Sequence, residues 1–483
     1  MIKTTILISL LFGHFILLGQ IQTFTYEFIT ENDDRLWSVF EAENGNVFCV
    51  GHIAKPYSNK YNGLIIKLNQ KGELIKQRII NIPGRSYDIY HVLQDSLQSI
   101  IICGKSSDTT PSMSYCKLEL KRMNYDLKII DSSSSIITTD KSINGLAMQF
   151  GKNSDLLFTG SVMFDTPPHL YDIKLRTNNS LDSIRFYQKT EGVGTIGQQI
   201  NQINDTLYWG IGWFGAIYSF FSIDTSFNTI SIHKVPKEVN QVYGIKWDTD
   251  TSFFMSGAWK TIDNDDDIGI IRQFHPFDTT NYIFNSWGKK GIYDYPAPNG
   301  SLDFKNIDSV FIGAITSFQP IPYSNSKYVL IQVDSLLNIR WERFYGIEGY
   351  YLELMKVLAT KDGGCILAGT KYNYNLNNNT RDIYILKVNA EGLITGTNGQ
   401  MAPVVHEAIV YPNPGRDYLR VRVGVQHKQS VFKLFDMAGH LVLTKTIEGR
   451  TAEINTQFLQ PGTYIYTITN NSGLNENGKW VKE

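Results

Sequence analysis

Lys361–Asn389 reads KDGGCILAGTKYNYNLNNNTRDIYILKVN. An Asp-Gly-Gly turn opens the stretch, and an apolar run then closes on Gly369. A polar loop follows, and Asp382–Asn389 alternates apolar and polar residues. Short β-prone runs bounded by Gly, Asn and Asp read as strands joined by turns. Weaker copies of this pattern precede it. Aligned on the glycine that ends the second apolar run, they fall at Gly51, Gly104, Gly160, Gly210, Gly257, Gly313 and Gly369. A period of roughly fifty residues in a strand-rich chain predicts the blades of a propeller.

Each copy holds the same parts. A first strand is represented by Met355–Thr360 and a second by Val310–Ile312, ending at the glycine. A variable polar loop leads to an alternating third strand, as in Leu64–Leu68, and a turn leads to a fourth, clearest at Arg340–Tyr345. A single short sheet cannot bury both faces, whereas seven packed radially can, leaving only short edges. The seventh copy lacks a fourth strand, and an orphan strand, Phe24–Ile29, stands before the first copy. The expected closure places that N-terminal strand in the last blade. The repeat resembles those of secreted Bacteroidetes propeller proteins, which implies a fold and no activity.

The fold class expected is therefore all-β: a seven-bladed β-propeller over residues 24–394, a linker over 395–405, and a small immunoglobulin-like β-sandwich over 406–483. Composition agrees, with 13% aromatic and 19% charged residues. A formal net charge of −1 gives no reason to expect a nucleic-acid partner or an electrostatically held membrane surface. Residues 1–20 carry Lys3 and then the apolar run Ile6–Leu18, which reads as a secretory signal peptide. That run falls short of the ~20 residues a bilayer-spanning helix needs, and no other apolar segment approaches that length. Cys49, Cys103 and Cys365 lie in the apolar runs before repeat glycines and read as buried strand residues. Cys103 and Cys116 could face each other on adjacent strands as a disulfide.

After the linker the composition resets. Tyr411-Pro412-Asn413-Pro414 opens a set of short strands: Ile409–Tyr411, Tyr418–Val423, Ser430–Phe435, His440–Thr446, Ala452–Thr456, Thr463–Thr469 and Lys479–Lys482. Asp436–Gly439 and Pro461-Gly462 supply turns between them. Pro412, Asn413, Pro414, Asp417, Leu419, Val421, Gly439, Leu459, Gly462, Tyr464, Lys479 and Lys482 stand in the order and spacing of the type A sorting domain of the type IX (Por) secretion system, which Ala408–Glu483 resembles. Trp480 departs from it, standing where a smaller apolar residue is commoner. The resemblance implies a transport tag read by the type IX translocon and usually cleaved, its cargo released or attached to the surface.

Chemistry is sparse. Gly192-Val-Gly-Thr-Ile-Gly197 matches a dinucleotide fingerprint in letters only, because no amphipathic helix follows it. No cofactor is called for. Asp263, Asp265 and Asp267 are spaced like a calcium loop, without its glycine or its closing glutamate. The loops after the repeat glycines are more suggestive. His52, Tyr57, Trp213, Trp259, Tyr323, Tyr372 and Tyr374 would gather on one face of a propeller, suiting a glycan or peptide ligand. The expected role is extracellular binding or adhesion without catalysis. A propeller hydrolase or lyase acting on polysaccharide is the alternative, and a structural surface protein without a ligand is the third.

Overall fold

The computed structural model describes residues 22–395 and 404–483, apart from 57, 59, 110–115, 137–142, 153–155, 163–168, 176–180, 188–196, 215–216, 227, 237, 240, 261–265, 279, 289–292, 318–325 and 377–379. The signal segment 1–20 lies outside the described residues. Before the tail, the described strands form seven successive antiparallel sheets. The first joins Asp33–Glu41, Val47–Ala54, Tyr61–Leu68 and Leu74–Ile80 in sequence order. The next four begin at Arg85, Ile143, Gly197 and Gln241 and repeat that order. Each sheet packs on the next, and the seventh packs on the first, so the sheets close into a propeller-like ring with their first strands innermost.

The core follows from that ring. Apolar side chains gather in clusters that each draw on two successive sheets, such as Phe48, Val50 and Ile65 with Tyr87, Ile89 and Ile102. Middle strands have both faces covered and are buried almost continuously, as in Val47–Ala54. Some outermost strands face water: Leu74–Ile80 and Thr229–Lys234 are mostly exposed. Cys103 pairs with Leu120 and Cys116 with Ser107, so the two cysteines do not oppose each other, and all four cysteines are free and buried.

The seventh sheet is built from Tyr350–Ala359, Cys365–Asn373, Arg381–Val388 and, as its outer strand, Phe24–Phe28. Phe24 pairs with Lys387 and Phe28 with Ile383 in unbroken antiparallel register. Phe24, Tyr26 and Phe28 join a cluster with Leu36, Leu64 and Ile66 of the first sheet. Glu27 meets Lys371 at 2.8 Å, both side chains being buried. Arg381 bridges Glu353 of the seventh sheet and Asp33 of the first.

Each repeat glycine sits in the second strand of its sheet. Opposite Gly51, Gly104, Gly257 and Gly369, the first strand carries a bulge. The bulge pushes a carbonyl over the glycine, so a Cβ at these positions would overlap the carbonyl oxygen of Arg35, Asp88, Gln241 or Glu353 respectively. Gly369→Val should therefore cost about 3 kcal/mol or more. A thermal melt reads this directly, and an unchanged midpoint would mean the bulge tolerates a side chain.

The seam also titrates. Asp34 is fully buried, accepts a 2.7 Å hydrogen bond from the Thr30 hydroxyl, and has one carboxylate oxygen without a partner. Burial, partly offset by Thr30 and reinforced by Asp382 and Asp33, pushes its carboxyl from 3.8 up to about 7. Between those values the folded chain holds a proton that the unfolded chain has released, so this group disfavours the fold increasingly as pH rises toward 7 and fully above it. Asp34→Asn should melt higher than the parent at pH 8.5, with the advantage fading toward pH 5. Melts of both chains across that range test this, and a pH-independent difference would refute it.

Candidate functional site

In the sixth sheet the first strand is broken. Tyr293–Pro296 and Leu302–Asp303 both pair with Val310–Ser317, and Ala297–Ser301 leaves the sheet between them. This segment straps across the inside of the ring. Ser301 N donates to Tyr243 O of the fifth sheet, and Asn299 N donates to Met355 O of the seventh. The Asn299 amide donates to Trp37 O of the first sheet at 3.1 Å. Beside the strap lies a cavity of about 560 Å³, bordered by His91, Gln149, Asn201, Lys246, Trp247, Asp303, Lys305 and Lys356. Lys246 bonds Asp303 and the carbonyl of Phe304, while the second oxygen of Asp303 accepts from Ala359 N. Lys356 bonds the Ser38 hydroxyl at 3.1 Å, and burial pulls its ammonium below the ordinary lysine value against the attraction of Asp303.

The residues expected from the sequence lie elsewhere. The glycine-bearing strands run into their polar loops where first strands begin, as the pairs Ala54–Asp33 and Asn373–Tyr350 show. Lys246 and Lys356 lie toward the opposite end, near the pairs Trp247–Phe253 and Ala359–Cys365. His52 is buried: its Nδ1 lies 2.8 Å from Asp88 Oδ1, to which Trp37 Nε1 also donates, and its ring stacks on Tyr61. Trp259 packs on Phe284 of its own sheet. Tyr372 and Tyr374 pack against the cluster between the sixth and seventh sheets. Trp213 lies in the strand Leu207–Phe214, and Tyr57 and Tyr323 lie outside the described residues.

Asp263 and Asp265 also lie outside the described residues, while Asp267 and Gly269 are ladder residues paired with Trp259 and Gly257. The second half of the expected calcium loop is therefore a strand. Among the described residues, no three His, Cys, Asp or Glu side chains gather to hold a metal. Gly197 of the GxGxxG stretch starts the strand Gly197–Asn204, where a dinucleotide site needs a helix.

The tail is a separate pair of packed sheets. Ala408–Tyr411, Tyr418–Val423 and Thr451–Asn455 form one; Leu441–Ile447, Ser430–Phe435, Gly462–Thr469 and Asn475–Lys482 form the other. Leu419, Val421, Phe432, Leu434, Ile468 and Trp480 lie in the core between them. The Pro412–Gly415 segment is stitched to the final strand. Trp480 Nε1 donates to Pro412 O at 2.7 Å, the Asn413 amide donates to Lys479 O, and Val481 N donates back to Asn413 Oδ1. Trp480 thus fills the core and clamps the motif at once. Thr456 N donates to Asp417 O, Gly439 turns at φ +83°, and Tyr464 OH donates to Gln460 O. Lys479 is exposed and Lys482 is buried.

Residues 409–483 match the family of secretion system C-terminal sorting domains. That match indicates export through the type IX system to the cell surface or extracellular space. A search of curated proteins found no significant match. Among solved structures, an uncharacterized protein, lmo1340, from Listeria monocytogenes EGD-e is 12% identical, with 72% of this chain and 93% of that chain covered and a TM-score of 0.38. The polysaccharide lyase Uly1 is 9% identical, with 73% and 90% covered and a TM-score of 0.44. PorZ of Porphyromonas gingivalis, described as a surface component of the type IX system, is 9% identical, with 95% and 100% covered and a TM-score of 0.27. These structures are too distant to speak to function. Among the described residues, no helix is long and apolar enough to cross a membrane.

The sorting domain is docked on the ring, contrary to a free tail on a flexible linker. The expected linker ends in the strand Val404–His406, which adds to Ile339–Gly346 of the sixth sheet. Ile409 and Tyr411 join the apolar cluster between the fifth and sixth sheets. Arg422 is 1% exposed and bonds both Asp294 and Glu342, each at 0%. Arg450 holds the other oxygen of Glu342 at 2.6 Å. Burial pushes the Asp294 carboxyl up despite Arg422, whereas at Glu342 the two guanidinium groups outweigh burial and hold the carboxyl down. Removing one member of such a group strands the others. Arg422→Met should cost about 3–5 kcal/mol and release the sorting domain to protease. Limited proteolysis and melts read both effects, and a variant as resistant as the parent would show that the cluster does not hold the domain.

Proposed function

We propose that this chain is a type IX cargo whose ring is a seven-bladed propeller serving extracellular binding without catalysis, with an immunoglobulin-like sandwich as its export tag. The match of residues 409–483 to the sorting-domain family carries the export half of this reading. The binding half rests on the channel cavity, where amides, an indole and ammonium groups converge. Its one described carboxylate, Asp303, is engaged by Lys246 and Ala359 N, so no pair of carboxyl groups stands ready for acid–base work. Glycans or peptides are the ligand classes such a surface suits. The alternative, a hydrolase or lyase acting on polysaccharide, is favoured by the His52–Asp88 pair. Asp88 orients that imidazole and its Nε2 is without a partner, as in a general base, but the ring is buried.

The test has two arms in the native host. The full chain should reach the surface or medium and bind defined members of a glycan and peptide array. A chain lacking Ala408–Glu483, with Asp294→Asn and Glu342→Gln to neutralise the uncovered acids, should stay in the periplasm as a folded ring. Normal surface delivery of that truncated chain would refute the export assignment. Turnover of an array glycan would replace binding with catalysis.

A further inference from the structure

We propose that the channel cavity binds a small ligand bearing a carboxylate group, which sits against the ammonium of Lys356. This rests on the reading of the ring as a binding domain. Three buried lysines of the ring have carboxylate partners, Lys371 with Glu27 at 2.8 Å, Lys387 with Asp362 at 2.6 Å and Lys121 with Glu119 at 3.5 Å, while a fourth, Lys67, bonds the Tyr125 carbonyl. Lys356 borders the cavity, and the hydrogen bond it makes is to the Ser38 hydroxyl. Among the described residues no carboxylate stands within ion-pair distance of it. Lys356 is half-buried and feels Asp303 only beyond ion-pair distance, so an anion entering the cavity would give its ammonium a closer counter-charge.

The surrounding charges set the ligand's valence. Lys246 and Asp303 cancel each other. Lys305 is exposed at the cavity border, where water screens its charge. Lys356 is then the one partly buried ammonium of the border outside an ion pair, which matches a monoanionic carboxylate better than a phosphate dianion. The walls suit a hydroxyl-bearing body: Gln149 and Asn201 bring amides and Trp247 an indole face. The volume of about 560 Å³ is ample for a sugar acid.

The test compares matched probes on the full mature chain by calorimetry and thermal shift. D-Glucuronate and D-glucose differ at the carboxylate, and inorganic phosphate checks the valence. Glucuronate should bind and raise the melting temperature, with glucose and phosphate each at least tenfold weaker. Lys356→Met should lose at least tenfold in glucuronate affinity while melting close to the parent, because the half-buried ammonium it removes bonds only the Ser38 hydroxyl. Lys356→Gln should behave alike and guards against a folding defect in the first variant. Equal glucuronate binding by parent and both variants, or no binding by the parent, would overturn the proposal, and tighter phosphate binding would overturn the carboxylate. If array ligands bind unaffected by either variant, the cavity proposal fails alone; if nothing binds anywhere, the reading of the ring as a binding domain fails too.

Discussion

The ring depends on the pairing of Phe24–Phe28 with Ile383–Lys387. Each apolar cluster between sheets needs both of its walls. Without this strand the cluster joining the seventh sheet to the first loses Phe24, Tyr26 and Phe28 together. The ladder also covers an edge that would otherwise present unpaired backbone groups. Because the two strands lie at opposite ends of the ring's sequence, closure comes with a high loop-entropy cost, offset by burial of three aromatic rings and the Glu27–Lys371 pair.

A second constraint acts inside the ring. The first strands crowd together there, and their bulges press carbonyls onto the repeat glycines. In the sixth sheet the irregularity has grown into the strap Ala297–Ser301, whose backbone and amide bond to the first, fifth and seventh sheets. The same close approach that demands glycine elsewhere has here become a feature that shapes the cavity beside Lys356. Architecture and candidate site thus share one cause, the shortage of room at the axis.

The sorting domain adds a different kind of contact. Arg422, Asp294, Glu342 and Arg450 form a buried ionic cluster between tail and ring. Such clusters contribute less net stability than their geometry suggests, since desolvation opposes the attraction, but breaking one leaves charges stranded. The cluster therefore acts as a lock on relative position more than as a source of stability. Removal of the tail would uncover two carboxyl groups on the ring, so ring and tail depend on each other more than a tag on a linker would.

The features legible in the sequence are those encoded locally. Glycine spacing, Asp-Gly turns and strand alternation depend on neighbours within a few residues, so the repeat, the missing fourth strand after Val388 and the N-terminal strand that replaces it can all be read from the letters. The same holds for the tail motif from Tyr411 to Lys482. What the tertiary structure decided is burial and charge pairing between distant segments. Lys356 reads as an ordinary strand lysine, and only the fold brings the strap, the fifth sheet and Ser38 of the first sheet around it. Arg422 reads as the solvent-side residue of an alternating strand, yet its partners lie 128 and 80 residues away. His52 reads as a loop-end residue open to a ligand, and the neighbouring sheet buries it against Asp88. Sequence period reports which face a strand turns, but what covers that face is set by segments far along the chain.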